Sequence, residues 1–261
     1  MNWRLITYGE HDPAFNMAAD EAILDAHLAG EVPPTLRLYG WKPAAISIGY
    51  SQKISDEEIR SIESHGLHIV RRTTGGRAVL HMGDLTYSFV GSTAAEGANS
   101  DQKKLLSTSV SAAYREICQG LIFALEEFGL KVSLGSSKSD YRANYDCFRA
   151  TTNADLQYDG KKMIGSAQLR RKNALLQHGS ILLNQDQNMI SRAYGAQSQS
   201  PGDRHANMFE VLGRAVSMDE LEDALKTGFS KAFSTGFEPG DLTSFEKEKI
   251  NTYVSKYRLV G

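Results

Sequence analysis

Two residues in this chain could pair a nucleophile with a fixed charge. Cys147, within Tyr145-Asp146-Cys147-Phe148, follows a polar stretch and precedes a strand pattern, a more exposed setting than that of the other cysteine, Cys118. A neutral thiol attacks poorly; a nearby ammonium lowers its pKa and raises the thiolate fraction. Lys162 can supply that charge, since it opens the second strand of a hairpin signalled by Asp159-Gly160. Each alone has a plainer reading: a loop cysteine is usually inert and a hairpin lysine usually solvated. On adjacent elements they predict an activated thiol.

The second chemical feature is the run Arg71-Arg72-Thr73-Thr74-Gly75-Gly76-Arg77-Ala78-Val79-Leu80-His81. Apolar residues before and after it read as strand, sharp loop, strand. Adjacent glycines permit φ > 0 and close approach of backbone to a ligand. Arginine adds fixed charge with forked donors. The run predicts a cradle for an anionic or carbonyl-bearing group; the plainer reading is a hairpin turn with solvated arginines.

The full string Arg-Arg-x-Thr-Gly-Gly-x-Ala-Val-x-His resembles the signature of the lipoate–protein ligase, biotin–protein ligase and octanoyltransferase superfamily. Asn16-Met17-Ala18 with Asp20-Glu21-Ala22 is similar to that superfamily's first helix, which lies near the acyl pocket, and Gly49 and Gln52 match a substrate-lining position. Lys162-Met163-Ile164-Gly165-Ser166-Ala167 resembles its Lys-x-x-Gly-Ser-Ala element, whose lysine contacts the acyl carbonyl. With Cys147 placed as it is, and Leu176-Gln177-His178-Gly179-Ser180 following, the chain looks most like the cysteine-dependent octanoyltransferase branch. Arg77, where ATP-dependent lipoate ligases prefer a third glycine, points the same way, as does the expectation of one catalytic domain over residues 1–261 without an accessory domain. One departure is Ala150-Thr151-Thr152-Asn153, which lacks the Pro-Ser associated with this branch after the cysteine.

The elements that must position these residues are legible from periodicity. Asp12-Pro13 starts a helix from Ala14 to about Ala29, whose apolar face includes Asp20 and Glu21; solvated edge positions are the commoner fate of such acids. Thr35 to Trp41 and Ala44 to Ile48 read as strands around Lys42-Pro43, followed by a short helix over Asp56–His65. Val110 to Phe128 has helical spacing, with Cys118 beside its stripe as a small buried hydrophobe. Strands are expected at Ala154–Tyr158, Lys161–Leu169 and Leu175–Leu183. Capping boxes at Ser217/Glu220 and Thr243/Glu246 open two more helices. The segments 94–104, 135–144 and 184–207 read as loops. Mixed order without regular βαβ alternation predicts an α+β fold with mixed or antiparallel sheets, as the resemblance also implies, related to class II aminoacyl-tRNA synthetase catalytic domains.

Composition narrows the function classes. A net charge of −2 over 261 residues argues against nucleic-acid binding. Basic residues cluster at Arg71–Arg77 and Lys161–Lys172, a pattern suited to docking an acidic protein. Two cysteines allow neither a disulfide framework nor a structural zinc site, and no metal is expected. No apolar run has transmembrane or signal length, so cytoplasmic residence without a membrane partner is expected.

The resemblance implies octanoyl transfer from acyl carrier protein, through a Cys147 thioester, to a lysine of a lipoyl domain: the glycine-cleavage H protein or a 2-oxoacid dehydrogenase E2. No cofactor is implied. Lys162 would act with Cys147, while Arg72, Gly75, Gly76, Arg77, His81, Gly165, Ser166, His178 and Gly179 would bind substrate. His81 and His178 could serve as bases or as orienting groups. The competing readings are an ATP-dependent lipoate–protein ligase, an amidotransferase between lipoyl domains, and a non-catalytic acyl- or nucleotide-binding protein. ATP dependence, donor identity and retention of the nucleophile separate them.

Overall fold

The structure, a computed structural model, describes residues 2–93, 106–135, 155–195 and 205–259. Cys147, Ala150–Asn153, and most of the expected loops at 94–104 and 135–144 lie outside the described residues, as do 196–204. In chain order the elements are β1 (Trp3–Ile6), β2 (Glu10–His11), α1 (Pro13–Leu28), β3 (Thr35–Trp41), β4 (Ala45–Ile48), α2 (Asp56–Ser64), β5 (His68–Arg71), β6 (Val79–His81), β7 (Leu85–Ser92) and α3 (Val110–Glu126). There follow β8 (Ser133–Leu134), β9 (Leu156–Tyr158), β10 (Lys161–Arg171), β11 (Ala174–Ile181), α4 (Met189–Ala193), α5 (Met208–Leu212), α6 (Met218–Phe233), β12 (Phe237–Pro239) and α7 (Ser244–Tyr257).

Among the described residues these strands form two mixed sheets. The larger has nine strands, in the order β12-β1-β3-β7-β11-β10-β9-β8 with β2 beside β3. Its centre, β3-β7-β11-β10, is antiparallel, while β1 runs parallel to β3 and β12. The smaller has the order β5-β4-β6. The α+β expectation holds.

The two faces of the large sheet follow from strand alternation. Leu36, Leu38, Tyr87, Phe89 and Leu175 turn toward α3 and α6 and form the main core. Thr35, Val90 and Leu176 turn the other way, toward α1, whose Ile23 and Leu24 pack on Val90 and Leu176. Helix α7 covers α1 from outside, laying Ile250 and Tyr257 against Ala14, Ala18 and Ala22. On the small sheet Ile46, Ile48, Ile69 and Leu80 bury against α2 and α4, which leaves Ser47, Val79 and His81 on the opposite face.

The helix starts form as read. The Asp12 carboxylate accepts from the Ala14 and Phe15 N–H groups, and α1 ends at Leu28. Both capping boxes close, Ser217 with Glu220 and Thr243 with Glu246. One expectation changes. Asp20 and Glu21 are buried, not solvated, because partners described below satisfy them. The plainer reading of the glycine run as a hairpin turn is excluded: β4 lies between β5 and β6, parallel to β5 and antiparallel to β6. The Arg72–Ala78 loop therefore crosses a strand.

Helices α3 and α6 approach closely at two glycines. A Cβ built on Gly228 would lie 2.3 Å from the Gly120 carbonyl oxygen, and backbone cannot yield as a flexible side chain could. Gly228→Ala should therefore lower unfolding stability by about 1–3 kcal/mol, the usual range for overpacking, measured as a reduced denaturant midpoint.

Candidate active site

The site lies where the α1 side of the large sheet meets the free face of the small one. Two cross-strand rungs of the large sheet are polar on that side: Arg37, Ser88 and His178, then Tyr39, Thr86 and Ser180. A narrow cavity of about 30 Å³ opens here. Its walls include Met17, Trp41, Ser47, Val79 and Ala167 together with the expected Arg72, Gly76, His81, Gly165, Ser166, His178 and Gly179. The structure thus brings together seven of the sequence-derived residues from three strands and one loop. Gly75, Arg77 and Lys162 do not line the cavity, and Cys147 lies outside the described residues.

The arginines build the loop as well as bordering the site. Arg71 Nη1 donates to the carbonyls of Gly49, Tyr50 and Gln52 at 3.1, 3.2 and 2.6 Å. Buried Arg72 donates through Nη1 to Ser47 O and Oγ, at 2.6 and 2.7 Å, and through Nη2 to the carbonyls of Gly75 and Arg77, at 3.1 and 2.9 Å. Only one member of the Gly-Gly pair has a left-handed backbone: Gly76, at φ 105°. The close approach is made by Gly49, where a Cβ would sit 2.0 Å from the Gly76 oxygen, whereas a Cβ on Gly75 would meet open space.

Both histidines are buried between a carboxylate and a hydroxyl. His178 Nδ1 lies 3.0 Å from Asp20 Oδ2 and its Nε2 lies 2.7 Å from Thr74 Oγ1, in the loop. His81 Nδ1 lies 2.8 Å from Asp84 Oδ2 and its Nε2 lies 2.7 Å from Ser47 Oγ. Both ring nitrogens of each histidine are thus engaged, one with a carboxylate and one with a hydroxyl. Burial pulls the His81 pKa down against the opposing pull of Asp84.

Asp20 is a hub. Arg37 Nη1 donates to its Oδ1 at 2.9 Å, and Tyr39 donates its hydroxyl to Oδ2 at 2.9 Å. Burial alone would raise this carboxyl, but the bonds from His178, Arg37 and Tyr39 hold it below its ordinary value. Glu21 behaves alike: burial opposes ionisation, and Lys256, Tyr257 and Arg171 outweigh it.

Lys162 is buried beside Asp155, with Nζ 2.7 Å from Oδ1. The hairpin reading of a solvated lysine does not hold, because a register shift between Lys162 and Ile164 accompanies its placement inside. Other basic residues are also internally committed: Arg170 donates to the Thr108 and Ser109 carbonyls, and Arg171 to Glu21 and Asp25. Arg71, Arg72, Arg170 and Arg171 are thus each bonded to their own chain. Cys118 is fully buried, as expected, and burial pushes its thiol up to about 12.

The lipoyl protein ligase A/B catalytic domain matches residues 12–230. This chain belongs to that family. Its likeness to individual members of the lipoyl ligase A/B family runs nearly end to end. Octanoyltransferase LipM of Kyrpidia tusciae is 38% identical over 270 residues, covering 98% of this chain and 96% of its own. That of Symbiobacterium thermophilum is 40% identical over 272 residues, with coverages of 98% and 96%. Among solved structures, lipoate-protein ligase A bound with ATP matches at a TM-score of 0.78 and 26% identity, covering 98% of this chain and 95% of that one. Protein Ta0514 of T. acidophilum with bound lipoic acid matches at 0.79 and 27%, covering 98% and 96%.

Sequence reasoning missed Ser47, Thr74, Asp84 and Asp155, and undervalued Asp20. A signal existed for part of the site: Arg37 and Tyr39, Thr86 and Ser88, and His178 and Ser180 put polar groups two apart in otherwise apolar strands.

Gly49→Ala should drive a methyl into the Gly76 carbonyl and suppress activity while the protein stays folded, whereas Gly75→Ala should leave activity near normal. Turnover and circular dichroism on the two variants check this contrast. The depressed Asp20 and Glu21 carboxyls contribute stability above the unfolded-state values of about 3.9 and 4.3. That contribution is lost as pH falls through the lower folded values. Thermal unfolding should therefore weaken below about pH 4, and Asp20→Asn should flatten this acid limb while costing about 3–5 kcal/mol at neutral pH through the unpaired Arg37.

Proposed function

We propose that this chain transfers octanoyl groups to lysines of lipoyl domains in lipoate biosynthesis. The observation that carries this reading is the near full-length likeness to octanoyltransferases at 38% and 40% identity, joined to a cavity whose walls come from the family's glycine loop and from β10 and β11. On this reading the chain works as one catalytic domain, in the cytoplasm.

The donor is octanoyl-acyl carrier protein. The Cys147 thiolate attacks the thioester carbonyl; a C–S bond to cysteine forms, the C–S bond to the carrier breaks, and the carrier thiolate takes up a proton. The amine of the acceptor lysine, on an H protein or an E2 lipoyl domain, then attacks the enzyme thioester. A C–N bond forms, the Cys147 C–S bond breaks, and the amine proton returns to the thiolate. One thioester replaces another in the first step, so ATP has no part. Lys162 stabilises the thiolate and the tetrahedral oxyanion, while Asp155 fixes its side chain. The Gly76 loop forms one wall beside the acyl carbonyl. Met17, Trp41 and Val79 give the slot apolar walls for an eight-carbon chain.

Intact mass after mixing the protein with octanoyl-acyl carrier protein, without ATP, tests the reading. An octanoyl adduct on Cys147 that passes to a lipoyl domain is the expected result. Cys147→Ser should form no adduct, and Lys162→Ala should slow alkylation of Cys147 by about ten-fold, the effect of one pKa unit. Product formed only from free acid and ATP would overturn the proposal in favour of a ligase; an adduct on Cys118 would mean that a different thiol acts.

A further inference from the structure

The contacts from Arg72 to Asp84 have only one direction open to them. A guanidinium donates and cannot accept; a carboxylate accepts and cannot donate. Ser47 Oγ accepts from Arg72 Nη1 at 2.7 Å and lies 2.7 Å from His81 Nε2. The Asp84 carboxylate can only accept, so a neutral His81 turns its Nδ1–H to Asp84 Oδ2 at 2.8 Å and leaves the Nε2 lone pair to take the Ser47 proton. The same carboxylate oxygen receives the hydroxyls of Ser180 at 2.7 Å and Thr86 at 3.2 Å. Thr86 in turn accepts from Trp41 Nε1 at 2.8 Å, and the Trp41 ring lies on His81 with centroids 3.8 Å apart and planes inclined by 15°. Asp84 Oδ1 is buried and meets no hydrogen-bond partner among the described residues. An under-satisfied buried carboxylate is costly. Its presence is accounted for by the order it imposes on its neighbours.

We propose that Asp84 is a positioning residue for acyl transfer, fixing the His81 tautomer and, through Ser47, the setting of Arg72 and of the Gly76 peptide. The last link follows from peptide geometry. In a trans peptide the N–H points opposite to the C=O. The Gly75 carbonyl turns to Arg72 Nη2, so the Gly76 N–H points away from Arg72, and Gly76 is a wall of the cavity. A serine, histidine and aspartate in this order also make up a nucleophilic triad. Here Arg72 occupies the oxygen that would attack, and Ser47 is fully buried on a paired strand. The hydroxyl is a link, not a nucleophile.

The proposal rests on the acyl-transfer reading only for the rate arm of its test. Asp84→Asn keeps the shape but offers an amide that can donate to Nδ1, moving the histidine proton to Nε2 and setting His81 and Arg72 both to donate to Ser47. Nitrogen-15 NMR of the wild-type chain should show His81 as the Nδ1–H tautomer, and the variant should show Nε2–H. Amide exchange over residues 72–77 should quicken, and kcat for octanoyl transfer should fall about ten- to hundred-fold, the scale of a small misplacement near reacting atoms, with KM little changed. Ser47→Ala cuts the relay with the carboxylate intact; it should lower kcat similarly, and the double variant should lose no more than the larger single loss. A wild-type His81 that is protonated or carries its proton on Nε2 overturns the relay. So does an Asn variant that flips tautomer with kcat and loop exchange unchanged, or losses that simply add. If the Asn variant does not fold, the wild-type tautomer and Ser47→Ala decide alone. A wild type with the Nδ1–H tautomer and no octanoyl transfer would count against the proposed function and leave the loop-ordering role to the exchange measurement.

Discussion

Two carboxylates sit almost without solvent between the sheets, and the site is arranged around satisfying them. Asp20 and Asp84 are 1% and 2% exposed. Burial at that depth penalises a charge heavily unless donors converge on it. Each collects a histidine, and each histidine reaches a hydroxyl that borders the glycine loop, Thr74 on one side and Ser47 on the other. The need to satisfy two charges thus becomes the means by which a loop acquires one conformation.

This constraint also explains the layering. Helix α1 cannot be a simple apolar lid, because Asp20 must reach Arg37 and Tyr39 on β3 and His178 on β11. Its alanines admit α7 closely on the other side, and α7 returns Lys256 and Tyr257 to Glu21. One helix therefore carries an inward and an outward acid on successive residues, each held by its own donors. The α3–α6 side of the sheet is filled mainly by apolar side chains such as Leu121, Leu125, Leu221 and Phe229.

Helix starts, strand positions and the fold class were legible because caps and periodicity are local. The glycine loop, His81 and His178 were legible because they fall in contiguous strings. What was hidden depends on which strands become neighbours. Gly49 looked like a strand end, and only the return of Gly76 against it shows why a side chain is excluded. Asp84 reads as an ordinary turn acid until Ser180, from nearly a hundred residues away, donates to it. The arginines announced charge correctly but not its direction, since backbone carbonyls can engage a guanidinium as well as a ligand can. Lys162 and Asp155 illustrate the same gap: short spacing could not reveal that the hairpin closes with the lysine inside.

The strand order β5-β4-β6 gives the glycine loop a property that surface connections lack. Ordinary loops tolerate changes of length, because extra residues bulge into water. This one leaves β5, passes over β4 and must deliver β6 in register, with His81 beside Ala45 and Val79 beside Ser47. Side chains on a strand alternate with period two, so a slip of one residue exchanges the faces. An insertion or deletion taken up by β6 would turn Leu80 into the cavity and His81 into the apolar layer against α2, uncoupling Asp84 from Ser47 in a single step. In this fold the number of residues between Arg72 and His81 is itself part of the site.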